Sequence, residues 1–285
     1  MKRTLLFSLI LLHITYYSPE AASPLSAKKL ITFPSISTTL EIGQNLVVDG
    51  LPTVSTIDED KKPFHFNTYV TSLYQQIGLE AAGLSQKAFE RAMIGYYNLE
   101  GQLKKKDIIS IVDFDQASTK ERLYVISIKE QKLLYQSLVA HGKNTGWDMA
   151  TDFGNKHRSL KSSLGFLVTA ETYFGKFGYA LRLDGKERYF NDNARSRGIV
   201  MHGANYVNPD FVKQKSRLGR SYGCPALPYG MHEKVINAIK GGSLFYIHKS
   251  NENYEKKSKL LDKSKAEQIA AKLTMPEAEP IIALN

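Results

Sequence analysis

Two stretches of the sequence decide the fold and its chemistry: IVMHGANYV at residues 199–207 and GRSYGCPA at residues 219–226. The first is an apolar run that ends in a histidine and a glycine, which is typical of a strand that brings a polar side chain to a sheet edge. The second is a glycine-rich turn that carries Cys224. Because imidazole is the usual base for a thiol, this arrangement predicts that Cys224 and His202 act as nucleophile and base.

Short β-type runs surround these two stretches and predict a mainly β fold, a sandwich or a barrel. Turns rich in Gly, Asn, Asp and Lys separate runs at 108–114, 123–128, 133–140, 165–169, 179–183, 199–202 and 243–248. Ahead of them, apolar residues at helical spacing predict an N-terminal helical hairpin, with Ser85 as a helix cap and the turn near Gly83. After them, alternating Lys, Glu and Asp at 249–272 predict a solvated helix in a charged C-terminal tail.

The chain divides into four predicted segments. Residues 1–23 resemble a signal peptide, because Lys2 and Arg3 precede a short apolar run and small residues follow at 21–23. A leader and helical region covers 24–107, the β-rich domain covers 108–248, and the charged tail covers 249–285. An uncleaved membrane anchor is the alternative for the first segment. No second apolar run is long enough for a span, so we expect an exported protein of the periplasm or cell envelope.

Composition excludes several classes of protein. The 285 residues include 38 Lys+Arg, 28 Asp+Glu and one cysteine, with a formal net charge of +10. A single cysteine excludes an intrachain disulfide framework, so the exported thiol is an intermolecular bridge, an incidental buried residue or a reactive group. The positive charge suits an anionic wall polymer, and no nucleic-acid-binding motif is present. We predict no nucleic-acid partner and make no prediction of oligomeric state.

Several motifs in the right order resemble a known family. His202-Gly203 followed by Ser221-x-Gly223-Cys224 resembles the catalytic signature of L,D-transpeptidases. Residues 162–166 resemble the strand entry of the same family. The match is closest to the murein L,D-transpeptidase subgroup, through motifs at 141–146, 181–185, 202–207 and 219–226. The resemblance covers roughly 108–248. Two positions depart from the broad family: Tyr222 stands where many members carry a second histidine, and Pro225-Ala226 follows the cysteine where many carry an arginine.

The resemblance implies a fold, a reaction and a substrate. It implies an L,D-transpeptidase-like catalytic domain that acts on the stem peptides of peptidoglycan. The Cys224 thiolate would attack the bond between the third stem residue and the D-alanine that follows it, form a thioester and transfer it to an amine, giving a 3→3 cross-link. A carbapenem would acylate the same thiol. With water as acceptor, the protein would be an L,D-carboxypeptidase or murein hydrolase; a non-catalytic wall-binding protein is the other alternative. We predict no cofactor.

Other residues of the motifs receive predicted roles. The Gly203 carbonyl would orient His202, and amides around Tyr222, Gly223 and Cys224 would form the oxyanion hole. Arg220 and Ser221 are candidates for substrate contacts, as are Tyr206 and His141.

Two other readings of the motifs are weaker. Residues 219–223 also match the G-x-S-x-G serine elbow, but prolines interrupt the helix that should follow, and His232 comes too soon to leave a spacer for the acid of a triad. The candidate metal ligands Cys224, His202, His141 and His232 lack short ligand spacing, so we predict no metal site.

Overall fold

An eight-stranded sheet forms the centre of the computed structural model, which describes residues 64–176 and 178–274. The predicted signal peptide, the leader up to residue 63 and the chain after residue 274 lie outside the described residues. Among the described helices, none combines the length and the hydropathy needed to cross a membrane.

The eight strands are short and belong to one mixed sheet. They are β1 (Ile108–Asp113), β2 (Leu123–Ser127), β3 (Lys132–Ser137), β4 (Gly165–Gly175), β5 (Gly178–Gly185), β6 (Val200–Gly203), β7 (Ala226–Leu227) and β8 (Leu244–His248). Their order is β3-β2-β1-β8-β4-β5-β6-β7. The β1–β8 and β6–β7 pairs are parallel, and the other neighbours are antiparallel.

The two ends of the sheet meet, which makes it barrel-like. Ala140, just after β3, forms an antiparallel bridge with Ala226 of β7, and its amide donates to Ala226 O at 2.9 Å. This single bridge makes the sheet nearly closed rather than a complete ring of paired strands. The predicted mainly β fold is confirmed, and of its two forms the barrel describes the sheet better.

The predicted N-terminal helical hairpin is present, and its second helix packs against β1 and β8. Helix α1 (Phe66–Ile77) ends at Gly78, whose φ of 74° is left-handed. Helix α2 (Gln86–Leu99) begins after Ser85, whose hydroxyl accepts a hydrogen bond from the Ala88 amide at 3.2 Å. These caps explain why the chain turns where it does.

Gly95 lets α2 pack closely on the sheet. A Cβ at this position would overlap the ring of Phe166 in β4, and that ring is itself stacked on Tyr246 of β8, with centroids 4.2 Å apart. We therefore expect Gly95→Ala to destabilise the protein by about 1–3 kcal/mol through overpacking, although alanine favours a helix more than glycine does. Urea unfolding measures the change, with Gly101→Ala as the control because nothing lies within 4 Å of a Cβ there. A Gly95→Ala protein of unchanged or higher stability would contradict this account of the packing.

The C-terminal segment differs from the predicted solvated helix. It forms α5 (Glu252–Lys257), a 3-10 turn (Lys259–Leu261) and α6 (Lys263–Thr274). Tyr254, Ala266 and Ala270 are buried. The alternation of charges describes only the outer face of these helices, whereas the few apolar residues between them pack against the rest of the protein.

Two further helices were not expected from the sequence. Helix α3 (Pro209–Lys215) begins after Asn208, whose side chain accepts from the Phe211 amide at 2.7 Å. Helix α4 (Met231–Ile239) follows the prolines near β7 and buries Val235, Ile236 and Ile239. This second helix packs against β6 and so supports the strand that carries His202.

Candidate active site

His202 lies near the end of β6 with a buried side chain. Its ring Nδ1 lies 2.9 Å from the carbonyl oxygen of Gly203, and the Nδ1–H tautomer donates to that oxygen. Burial lowers the pKa of His202 below its ordinary value, although the hydrogen bond to Gly203 acts in the other direction. The ring is therefore neutral at neutral pH, with Nε2 as its basic nitrogen.

Cys224 lies at the end of the turn that precedes β7, and β7 pairs with β6, the strand that carries His202. In the parallel register of β6 and β7, His202 is the partner of Ala226, two residues after Cys224. The fold thus brings the two predicted catalytic residues to one end of the sheet. The Cys224 residue is 9% exposed, and its Sγ donates to Gly198 O at 3.7 Å.

The surroundings of Cys224 keep the thiol protonated. Burial raises the pKa of Cys224, and a backbone hydrogen bond at Val200 and the positive charge of Arg197 oppose this rise. A protonated thiol and a neutral imidazole are the resting forms that general-base activation requires.

Ser221 holds the turn together. Its Oγ accepts a hydrogen bond from the Gly223 amide at 3.0 Å and donates to the Cys224 carbonyl at 2.6 Å. Gly223 has a φ of 123°, and a Cβ there would lie 2.7 Å from the carbonyl oxygen of Lys161, so the turn requires glycine. The side chain of Tyr222, by contrast, is exposed.

Arg197 belongs to the site, although no motif points to it. Its Nη2 donates to Lys161 O at 2.6 Å, and its Nη1 donates to Gly154 O at 2.9 Å. The same Nη2 lies 3.2 Å from where a Cβ of Gly223 would be, directly beside the Cys224 turn. Arg197 stands in a loop without periodicity, so only the folded chain reveals that its charge faces the thiol.

His232 is a second residue whose place the sequence does not indicate. It lies in the first turn of α4, with its Nδ1 buried and without a hydrogen-bond partner. A Cβ on Gly203 would lie 2.7 Å from this nitrogen, so the glycine after His202 makes room for the second imidazole. After burial, the nearness of His232 is a further cause of the lowered pKa of His202.

His141 is deeply buried and contacts an equally buried arginine. Its Nδ1 lies 2.8 Å from Nη2 of Arg122, and its Nε2 lies 3.4 Å from the carbonyl oxygen of Gly146. Burial lowers the pKa of His141 to about 4, and the Arg122 charge acts in the same direction. This placement favours a structural role over the predicted contact with substrate.

The other predicted substrate residues stand around the Cys224 turn. Tyr206 packs on Gly219, and burial raises its pKa to about 12. The Nη1 of Arg220 donates to Lys143 O at 3.0 Å and to Gly146 O at 2.9 Å. Arg220 therefore ties the start of the turn to the loop that follows His141.

A metal-like grouping exists elsewhere in the described part of the chain. Ligand atoms of Asp113, Asp115 and His248 lie within 4.8 Å of one another. Asp115, however, already forms an ion pair with Lys249 at 3.0 Å, and its other carboxylate oxygen lies 3.2 Å from Nε2 of His248. The four candidates from the sequence, Cys224, His202, His141 and His232, do not form such a grouping among the described residues.

Comparisons with known proteins give the family. The family model described as an L,D-transpeptidase catalytic domain matches residues 80–248, which is more than half of the 285-residue chain. No curated protein matches.

Solved structures give only weak overlaps. An L,D-transpeptidase from Mycobacterium smegmatis matches 50% of this chain and 59% of its own, at 12% identity and a TM-score of 0.32. L,D-transpeptidase 1 from Mycobacterium tuberculosis matches 50% of this chain and 62% of its own, at 12% identity and 0.29. An L,D-transpeptidase from Stackebrandtia nassauensis matches 63% of this chain and 76% of its own, at 15% identity and 0.31. This chain thus spans less than two thirds of the mycobacterial structures. The assignment rests on the family model, by which the chain belongs to the L,D-transpeptidase catalytic domain family.

Proposed function

We propose that the protein is an exported peptidoglycan L,D-transpeptidase in which Cys224 is the nucleophile and His202 the base. One observation carries this proposal: the β6–β7 register sets His202 beside Ala226, two residues from Cys224, while Gly203 O orients the imidazole. Family membership supplies the class of reaction. The predicted signal peptide and the net charge of +10 support action at the cell envelope on anionic wall material.

The first half of the reaction makes an acyl-enzyme. His202 Nε2 takes the thiol proton, and the Cys224 sulfur attacks the carbonyl carbon that joins the third stem residue to the D-alanine after it. The tetrahedral intermediate collapses, the C–N bond breaks, and the imidazolium returns its proton to the departing D-alanine amine. The product is a thioester on Cys224 and free D-alanine.

The second half transfers the acyl group. An amine on the side chain of another stem attacks the thioester carbonyl, its proton passes to His202, and the C–S bond breaks. The sulfur recovers a proton from the imidazolium, so the enzyme ends as it began. The new amide is a 3→3 cross-link, whereas attack by water would release a tripeptide.

Arg197 assists when negative charge appears on sulfur. Because burial keeps the resting thiol protonated, a thiolate in this position needs compensation as it forms. The Arg197 side chain already satisfies carbonyl groups around the turn, so its charge is held in place without reorganisation.

Backbone amides of the Cys224 turn would stabilise the negative charge of the tetrahedral intermediate. Of the predicted donors, the Gly223 amide donates to Ser221 Oγ at 3.0 Å and so shapes the turn. The Tyr222 and Cys224 amides are therefore the proposed donors to the oxyanion. A single donor of this kind contributes about 2.7–4 kcal/mol to transition-state stabilisation.

Purified tetrapeptide muropeptides test the proposed function. We expect the protein to convert them into cross-linked dimers with loss of D-alanine, which mass spectrometry of the products would detect. The Cys224→Ala protein, incubated in parallel, controls for contaminating enzymes. Tripeptides without dimers would show carboxypeptidase activity instead of transpeptidase activity. Unchanged muropeptides would favour the wall-binding alternative.

A further inference from the structure

The side chains of two arginines lie over the ring of an exposed tryptophan near the Cys224 turn. Trp147 is 62% exposed, although it is a large aromatic residue. The guanidinium carbon of Arg217 lies 4.0 Å from the centroid of its ring, and that of Arg220 lies 4.6 Å from it. Cation–π contacts of this kind hold both charged groups next to one indole. We call these three residues the arginine clamp.

The clamp contains two positive charges and no acid. Within the described ranges, neither Arg217 nor Arg220 forms an ion pair with a carboxylate. The acid that follows Trp147 in the chain, Asp148, is held instead by Ser118, whose amide and hydroxyl donate to it at 3.0 and 2.7 Å. In addition, Nε of Arg217 is buried and has no hydrogen-bond partner.

Both arginines are fixed before any ligand arrives. The Nη1 of Arg220 is used by the carbonyl oxygens of Lys143 and Gly146, and the Nη1 of Arg217 donates to Leu218 O at 2.7 Å. Two adjacent guanidinium groups repel each other, and an anion that bridges them removes the repulsion. Such a pair, held in place and lacking an acid, is suited to bind an anion.

The clamp is built on the turn that ends at Cys224. Arg220 precedes Ser221, whose carbonyl accepts from the Lys143 amide at 2.7 Å and whose Oγ bonds to the Cys224 carbonyl. Gly142 also forms a parallel bridge with Ser221. A ligand held by the clamp therefore sits against the same short segment that presents the thiol.

We propose that Trp147, Arg217 and Arg220 bind a free carboxylate of the stem peptide while Cys224 reacts with it. Guanidinium forks match the two oxygens of a carboxylate, which a lysine cannot do. This inference rests on the proposed function, because that function brings a carboxylate-bearing peptide to the turn. It names a carboxylate as the group that Arg220 binds, and it assigns Trp147 and Arg217 to the substrate site.

The fluorescence of Trp147 tests the clamp directly, since it is the only tryptophan in the chain. The experiment titrates the non-reactive Cys224→Ala protein with a stem tetrapeptide, once as the free acid and once with its carboxylates converted to amides. We expect the free acid to change the emission and the amide to bind about tenfold more weakly. Arg217→Gln should weaken binding of the free acid about tenfold and leave binding of the amide unchanged.

A control variant distinguishes binding by the clamp from a general effect of the protein's positive charge. Lys213→Gln removes one positive charge from α3, where the side chain is exposed and pairs with Asp210 at 3.4 Å. This variant should bind the free acid as the parent protein does. Equal binding of acid and amide, equal losses in Arg217→Gln and Lys213→Gln, or an equal response to inorganic phosphate would overturn the carboxylate assignment.

A failure of the clamp and a failure of the proposed function give different results. Turnover of muropeptides with no difference between acid and amide would reject the clamp and leave the transpeptidase standing. Carboxylate-dependent binding without turnover by the wild-type protein would leave the clamp standing and reject the enzyme. In the active protein, Arg217→Gln should raise KM while kcat stays nearly constant, as expected for a binding contact.

Discussion

Cys224→Ala is expected to lower product formation from muropeptides by on the order of 10⁴-fold or more, because no other nucleophile can replace the thiol. Ser221→Ala, three residues earlier, is expected to keep most of the activity. Ser221 Oγ bonds to the Gly223 amide and to the Cys224 carbonyl, so its loss loosens the turn without removing a reacting group. Each lost hydrogen bond of this kind costs about 1 kcal/mol.

A covalent probe gives a readout that does not depend on turnover. Incubation with a carbapenem should add one molecule to the wild-type protein and to Ser221→Ala, as intact mass reveals, and none to Cys224→Ala. An inactive Ser221→Ala protein together with an active Cys224→Ala protein would reverse the assignment in favour of the serine elbow.

His202→Ala is expected to lower kcat/KM by about 10²–10⁴-fold while the protein stays folded. The thiol pKa is raised by burial, so without the imidazole the thiolate forms only at alkaline pH. Alkylation of Cys224 by iodoacetamide, followed against pH, should therefore shift to higher pH in this variant. His157→Ala is the control, because His157 is exposed and contacts Ser196 rather than the turn.

The lowered pKa of His202 predicts how the rate of the wild-type protein changes as pH falls. His202 has a lowered pKa, so it keeps its basic form to more acidic pH than an ordinary histidine does. The rate should hold as pH falls through about 6.5, the usual histidine value, and decline only as His202 itself becomes protonated. A decline centred at or above this value, or an unchanged profile in His202→Ala, would show that another group is the base.

Local patterns predict the strands and the family well. The β-type runs anticipate seven of the described strands, because each combines branched or aromatic residues with flanking turn residues. The eighth, β7, has only two residues, and its pairing with β6 depends on the whole sheet being formed. A strand of two residues is too short to give a recognisable sequence pattern.

The charges and contacts around the site are harder to foresee. Arg197 and His232 carry no motif, and each reaches the site only because distant segments fold against it. His141 lies in a motif but turns inward to Arg122. Sequence motifs are enough to predict the reacting groups, whereas the residues that shift their pKa values are placed by tertiary contacts.

The bridge between Ala140 and Ala226 has a consequence for when the protein becomes reactive. Cys224 stands two residues from the point where the first and last strands of the sheet join, and His202 pairs with that same residue. The proposed nucleophile and base are therefore brought together by a contact between segments far apart in the chain, the kind of contact that forms slowly in folding. On the proposed function, a partly folded chain would hold an unassisted thiol, and Cys224 would become reactive only once the bridge between Ala140 and Ala226 had formed.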